Sequence, residues 1–249
     1  MPASDRDLME LLHGAADAVE RVLKDLDDWG LAGTRAGQYR SDLAADAAAT
    51  EVLHRAGLGV LSEESGLHDG DRDLIVVVDP LDGSTNASRG LPWYATSLCA
   101  VDSDGPRAAL VVDLPRGRRF EAGRGRGASV DGIALNPSSC TELDRAVVGL
   151  SGFPSRFLGW RQYRALGALA LDLCEVAHGA LDAFIDCSRS AHGPWDYLAG
   201  VLICREAGAV VSDALDRELV TLDHDARRTP LAAATPVLLQ QIVGAYRDT

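Results

Sequence analysis

Asp79 and Asp82 flank Pro80 and Leu81 in the run Val76-Val77-Val78-Asp79-Pro80-Leu81-Asp82-Gly83-Ser84-Thr85-Asn86. Three positions and one turn apart, the two carboxylates can face the same point, where they repel unless a proton or a cation lies between them. A hard divalent cation takes oxygen ligands, and Mg²⁺ in particular is held by a few carboxylates together with waters and phosphate oxygens. Gly83 lets the backbone approach a ligand. Ser84 and Thr85 are cap-forming residues at what reads as a helix start, where free N–H groups favour an anion. These residue types point to a cation and a phosphate meeting at one place. An Asp-Pro-x-Asp-Gly stretch also makes an ordinary solvated turn with no ligand, so the decision rests on what surrounds it.

The apolar run Leu74 to Val78 suits a strand buried on both faces. Pro80, with no N–H and a fixed φ, is expected to stop the ladder and leave Asp79 at the carboxyl end of that strand, where ligands commonly sit in layered α/β sheets. Leu58 to Leu61 is a short strand candidate that delivers Ser62-Glu63-Glu64 at its end. Upstream, Leu8, Leu11, Leu12, Ala15, Val19, Val22, Leu23 and Leu26 recur at helical spacing behind a Ser4/Asp7 capping box. A Gly-rich loop over 29–39 leads to a second helix, Asp42 to Arg55, that contains Asp46. Taken alone, Asp46 reads as a solvated helix residue and Glu63-Glu64 as a surface acidic pair. Asp69 to Asp73 begins like a calcium loop but lacks its glycine and its closing glutamate, and reads as a solvated acidic loop.

After the central run, Thr96 to Val101, Ala108 to Asp113 and Arg118 to Ala122 form a strand meander. Gly123-Arg124-Gly125-Arg126-Gly127 follows strands and leads to the hairpin signal Asp131-Gly132, so it is read as a structural turn and not as a nucleotide fingerprint. From Ala146 the elements alternate. Strands are expected at 146–150, 181–186, 209–212 and 231–234, with helices at about 166–177 and 195–207 and a last one starting at Thr235-Pro236. Asp196 stands at a helix start, as a cap or as a ligand.

With 249 residues, 47% of them apolar, the chain can bury a substantial core in one domain or two tightly joined halves. A net charge of −13 argues against a nucleic-acid or anionic-membrane surface, and it would repel an anionic substrate unless cations were bound. The five cysteines are odd in number and show no close pairing, which reads as reduced thiols in a cytoplasmic protein. No signal segment or membrane span is indicated.

At the central run the chain resembles the inositol monophosphatase family, whose signature runs Asp-Pro-hydrophobic-Asp-Gly-Ser/Thr-Thr-Asn. Glu63-Glu64-Ser65-Gly66 upstream, and Trp195-Asp196-Tyr197-Leu198-Ala199-Gly200 followed by Glu206-Ala207-Gly208-Ala209 downstream, match further family motifs in family order. The resemblance implies an α+β chain with an α/β C-terminal half, in the layered αβαβα sugar-phosphatase fold. Residues 1–145 would carry the Glu-Glu and Asp-Pro-Leu-Asp-Gly-Ser motifs and residues 146–249 the Trp-Asp motif, in one compact unit.

The resemblance also assigns roles. One Mg²⁺ would be held by Glu64, Asp79 and the Leu81 carbonyl, another by Asp79, Asp82 and Asp196. Ser84, oriented by Asp46, would act with Glu64 on the attacking water, and Gly83, Ser84 and Thr85 would receive phosphate. Asp186 stands where the family binds sugar hydroxyls, and Arg164, Arg189 and His192 are candidates to touch the alcohol. Tyr39-Arg40-Ser41-Asp42-Leu43 departs from the family's Lys and Asp-x-Val-Thr pattern, which leaves a third metal site open. Ser84 replaces a common Thr, Ala87 an aromatic and Leu198 a small residue.

The implied activity is Mg²⁺-dependent hydrolysis of a small phosphate monoester by activated water, with inositol monophosphate first in line. Histidinol phosphate, fructose bisphosphate and adenosine bisphosphate are the alternatives. The alternative of another class is a non-catalytic regulatory or binding protein on the same fold. A small phosphorylated metabolite is the expected partner, with no nucleic acid or membrane, and a homodimer is the family's expectation.

Overall fold

The computed structural model describes residues 4–35, 37–188 and 190–247. Its first layer is a pair of packed helices, α1 (Asp5–Lys24) and α2 (Arg40–Arg55). α1 starts where expected: Ser4 Oγ accepts the Asp7 N–H and an Asp7 carboxylate oxygen accepts the Ser4 N–H, each at 3.2 Å. Its buried residues Leu8, Leu12, Ala15, Val19 and Leu23 form the stripe that faces the sheet.

Beneath these helices lies an eight-stranded sheet. Its strands are β1 (Gly59–Ser62), β2 (Gly66–His68), β3 (Ile75–Asp82), β4 (Ala95–Asp102), β5 (Gly105–Asp113), β6 (Arg118–Gly123), β7 (Gly127–Val130) and β8 (Ile133–Ala134). The spatial order is β2-β1-β3-β4-β5-β6-β7-β8. β1 and β3 are parallel, and from β3 onward the neighbours are antiparallel, so the meander read from the sequence is present. The period of two divides each central strand between two cores. Val76 and Val78 pack with Leu98, Leu110 and the first helices, while Val77 packs with Cys99, Val111 and Phe120 on the other face.

That other face is covered by α4 (Leu169–His178) and α5 (Pro194–Ala207); the intervening α3 (Ser84–Ser88) is a single short turn after β3. Below α4 and α5 lies a second sheet of β9 (Val147–Ser151), β10 (Gln162–Arg164), β11 (Ala183–Asp186), β12 (Val210–Asp213) and β13 (Pro230–Ala233). Its order is β10-β9-β11-β13-β12. α6 (Pro236–Arg247) closes the far side, with Leu238 and Ile242 packed on Ile185 and Leu231. The layers are therefore αβαβα, as the resemblance implied. Among the described residues no helix is long and apolar enough to cross a membrane.

Two details differ from the sequence reading. β3 does not stop at Asp79 but runs through Pro80 to Asp82, because a register shift against β4 between Asp79 and Asp82 absorbs the proline. The Pro80 carbonyl is still satisfied, by the Thr96 hydroxyl at 3.0 Å. α4 begins at Leu169 and not near Leu166, because Gly167 at φ +87° breaks the helical path. The second sheet is mixed, since β13 runs antiparallel to both β11 and β12.

Candidate active site

The parallel pairing of β1 with β3 builds the first half of the site. Ser62 is in register with Val78, so the next residue of each strand, Glu63 and Asp79, emerge side by side, and the Glu63 N–H still donates to the Val78 carbonyl at 3.1 Å. α5 supplies the third carboxylate. Pro194 occupies its first turn, and Asp196 both accepts the Gly193 N–H at 2.7 Å and faces the two strand ends. Carboxylate oxygens of Glu63, Asp79 and Asp196 all lie within 4.8 Å of one another.

Like charges at this spacing repel one another. Burial, then Asp196 and Glu64, raise the Glu63 carboxyl well above its usual range, and burial, then Glu63 and Asp82, do the same to Asp79. Asp82 is pushed up to about 7 by burial and Asp196, although its Oδ2 accepts the Ala170 N–H at 2.7 Å. An all-oxygen set short of positive charge fits a hard divalent cation.

The backbone around Asp82 is drawn in tightly. Gly83 has φ +86°, and a Cβ there would sit 2.9 Å from the Trp93 carbonyl oxygen and 3.1 Å from Ala168 Cβ. Asn86 makes the same approach from α3, donating to the Trp93 and Leu166 carbonyls at 2.8 Å each.

Two clefts open from the carboxylates. One, of about 330 Å³, is lined by Asp42, Glu63 and Ser84 with Arg35, His224 and Arg227 at its rim. His224 lies on the Trp195 ring with centroids 4.7 Å apart, and the Arg227 guanidinium sits 5.0 Å from the same ring. The other, of about 270 Å³, is lined by Asp82 and Asp196 together with Ser151, Ala168, Asp172 and His192.

A family model for the inositol monophosphatase family matches residues 38–248. The chain belongs to that family. The Nus factor SuhB of Escherichia coli strain K12 is 35% identical, the match covering 93% of this chain and 87% of the relative. The fructose-1,6-bisphosphatase/inositol-1-monophosphatase of Thermococcus kodakarensis is 37% identical over 77% of this chain and 76% of its own. A Pyrococcus horikoshii protein described by its similarity to inositol-1 monophosphatase superposes with a TM-score of 0.88 at 27% identity, covering 97% of this chain and 99% of its own.

Within this inositol monophosphatase fold, several residues named from the sequence sit together and others do not. Asp79, Asp82 and Asp196 converge, and Leu81 is buried between the two aspartates with its N–H on Asp79 Oδ1 at 3.0 Å. Glu64 does not join the three-carboxylate cluster: its Oε2 accepts from Arg35 at 2.6 Å and from Gln38, and it is Glu63 that stands beside Asp79 and Asp196. Asp46 does not reach Ser84 either, since its Oδ1 accepts the Ser62 hydroxyl and, at 3.3 Å, the Ser65 hydroxyl. One helical turn earlier, Asp42 stands beside Ser84, its carboxyl raised by burial to about 6 while its Oδ2 accepts the Tyr39 N–H at 2.8 Å.

Ser84 lines the cleft beside Glu63, Gly83 precedes it at the turn, and Thr85 is exposed, with its hydroxyl 3.3 Å from the Tyr39 hydroxyl. Asp186 is wholly buried, one oxygen taken by Ser188 and the other without a hydrogen-bond partner. His192 occupies the space in front of it. Its Nδ1 is 3.4 Å from Asp196 Oδ2, and its Nε2 is 3.7 Å from Asp186 Oδ1 and 3.0 Å from Ser151 Oγ. Burial alone would lower the imidazole, but the contacts to Asp186 and Asp196 raise it to about 10. Arg164 is exposed and folds back on its own strand, donating to the Tyr163 carbonyl and Gln162. Arg189 lies outside the described residues.

Glu63 and Asp42 are thus the residues the sequence reading passed over. Strand register carried the signal for Glu63, and helical period carried it for Asp42, which shares a face with Asp46 four positions on.

Proposed function

We propose that this chain is a Mg²⁺-dependent phosphomonoesterase acting on inositol monophosphate or a small polyol phosphate of similar size. The observation that carries the reading is the convergence of Glu63, Asp79 and Asp196, where the crowding of acids raises the Glu63 and Asp79 carboxyls and a cation would offset it. Two ions are proposed, shared among Glu63, Asp79, Asp82, Asp196 and the Leu81 carbonyl. When bound, Mg²⁺ supplies Lewis-acid stabilisation of the transferring phosphoryl group and a lowered water pKa.

The two clefts give the residues their sides. Ser84, backed by Asp42, stands with Glu63 on one side of the carboxylates and can hold a water by its hydroxyl, passing a proton to the Asp42 carboxylate. The cleft of Asp82, Asp196 and Ala168 lies on the other side and can take the alcohol that leaves. Attack from one cleft and departure into the other suit an in-line displacement with no covalent enzyme intermediate. His192 holds Asp186 out of reach, so hydroxyl contacts in the leaving-group cleft fall to other residues.

The test is phosphate release from inositol 1-phosphate and 4-nitrophenyl phosphate with and without Mg²⁺, with Asp79→Asn as control. Turnover that requires Mg²⁺ and disappears in a folded Asp79→Asn protein is the expected result; near-normal activity in the variant sinks the assignment. A second reading rests on the relatives named Nus factor SuhB: a protein partner in transcription, with or without catalysis. Co-sedimentation with transcription complexes by a protein that releases no phosphate from any ester would favour it. Five unpaired thiols fit a reducing cytoplasm. A homodimer, for which exposed Phe153, Phe157 and Tyr163 offer an apolar face, is checked by light scattering.

A further inference from the structure

Asp172 lies on the wall of the leaving-group cleft and has no part in the chemistry above. It is 2% exposed, projects from the first turn of α4 and lines the cleft beside Ser151 and Phe184. One oxygen, Oδ1, accepts the Trp93 indole N–H at 3.1 Å. Among the described residues no ion pair reaches this carboxyl, and the charge that acts on it most strongly is another acid, Asp82. A carboxylate has about four acceptor positions, and one indole N–H leaves most of them unused. Burial and Asp82 raise Asp172 well above the usual range, so a donor or cation on the substrate is what would bring out its ionised, accepting form.

Among the described residues the rest of the cleft carries no free cation for a second anion. Arg164 is turned back on β10, and no arginine or lysine among the described residues lines the space. The cationic side chain among the described lining residues, His192, is already engaged by Asp186 and Asp196. A phosphate on the far end of the alcohol would lie against a buried carboxyl, with no free cation among the described residues of the cleft to receive it. A hydroxyl or an ammonium group would instead meet an acceptor ready for it.

We propose that Asp172 is the specificity-determining residue of this cleft, pairing with a hydroxyl or ammonium donor on the leaving alcohol, so that the enzyme takes monophosphates of donor-rich alcohols and discriminates against bisphosphates. This rests on the phosphatase reading. It names the class of ester that the reading leaves open.

The experiment compares wild type and Asp172→Asn, both with Mg²⁺, on histidinol phosphate, inositol 1-phosphate, fructose 1,6-bisphosphate and 4-nitrophenyl phosphate, with kcat and KM taken separately. Asparagine keeps an Oδ1 acceptor for Trp93 but turns an NH₂ donor toward the cleft, so the packing of Trp93 is retained while the recognition is reversed. Wild type is expected to favour a donor-bearing monophosphate over the bisphosphate by about tenfold or more in kcat/KM. In the variant, the kcat/KM ratio of the donor-bearing ester to 4-nitrophenyl phosphate, which has no donor, should fall by about tenfold or more, chiefly through KM. Whether histidinol phosphate or inositol 1-phosphate suffers the larger loss distinguishes ammonium from hydroxyl.

An equal loss on all four esters would show a structural role behind Trp93 and overturn the proposal, as would preference for the bisphosphate. Activity on 4-nitrophenyl phosphate with an unchanged ratio sinks this inference and leaves the phosphatase reading standing. Absence of phosphate release from every ester removes both.

Discussion

At the scale of single residues the site turns on which neighbour of a pair faces inward. Glu63 continues β1 beside β3 and so meets Asp79, whereas the next side chain, Glu64, is aimed at the loop that carries Arg35 and Gln38. The two glutamates should therefore differ sharply. Glu63→Gln is expected to lower Mg²⁺-dependent turnover by roughly two to four orders of magnitude, the range lost with a directly acting acid or base. Glu64→Gln keeps its acceptor oxygen for Gln38 and loses only the charge on Arg35, so a loss of about tenfold or less is expected, typical of a supporting contact. Steady-state kinetics on one ester settle the comparison, and equal losses would mean that the loop and the carboxylate cluster act as one unit. Asp79, Asp82 and Asp196 were legible in the sequence because each belongs to a motif with fixed internal spacing. The choices between Glu63 and Glu64, and between Asp42 and Asp46, were not, because each depends on where an element's neighbour lies. The same holds for Asp186, whose position matches the family but whose access is blocked by a histidine six residues on.

At the scale of elements, β3, α3 and the segment before α4 form one clamp. The strand carries its carboxylates through the Pro80 irregularity, Gly83 turns the chain at a positive φ that leaves no room for a Cβ, and Asn86 ties α3 to two carbonyls from separate parts of the chain. Replacing Asn86 by Ala removes both of those hydrogen bonds and leaves the Trp93 and Leu166 carbonyls to find new donors. The cost should be about 1–3 kcal/mol of stability. KM should rise more than kcat falls, since the leaving-group wall at Gly167 and Ala168 would loosen while the carboxylates stay on their strand. Denaturant melts and kinetics on the same preparation check both parts, and an unchanged midpoint would show that the clamp is held elsewhere. Most elements could be read from period and turn chemistry. The short strands β2 and β10 could not, because Gly66–His68 and Gln162–Arg164 have neither length nor alternation and exist only by pairing with β1 and β9.

At the scale of the whole molecule, two sheets and three helical layers surround a knot of acids, in a chain whose net charge is already −13. Without a cation that knot opposes folding in a definite pH window. Asp82 is raised from 3.8 to about 7 and Asp42 from 3.8 to about 6, chiefly by burial, and Glu63 and Asp79 move in the same direction. Below about pH 4 these acids are protonated in both folded and unfolded chains and contribute no difference. As the pH rises from there toward 7, the unfolded chain releases protons that the folded chain retains, so stability falls with rising pH. For Asp82 the shift of about 3 units corresponds to on the order of 4 kcal/mol. Asp102 and Asp213, which despite some burial are held low by Arg124 and Arg217, act the other way and lose their contribution as pH falls. On the proposed reading Mg²⁺ separates the two effects, because it would bind where the raised acids are. Melting in EDTA and in millimolar Mg²⁺ at about pH 5 and about pH 8 should show the larger metal-induced rise at the higher pH. Asp82→Asn should melt higher than wild type in EDTA at the higher pH and gain less from Mg²⁺. That variant also controls for general screening of an acidic surface, which it leaves almost unaltered. A metal effect equal at both pH values, and equal in the variant, would mean that Mg²⁺ acts on the surface charge and not on the buried carboxylates.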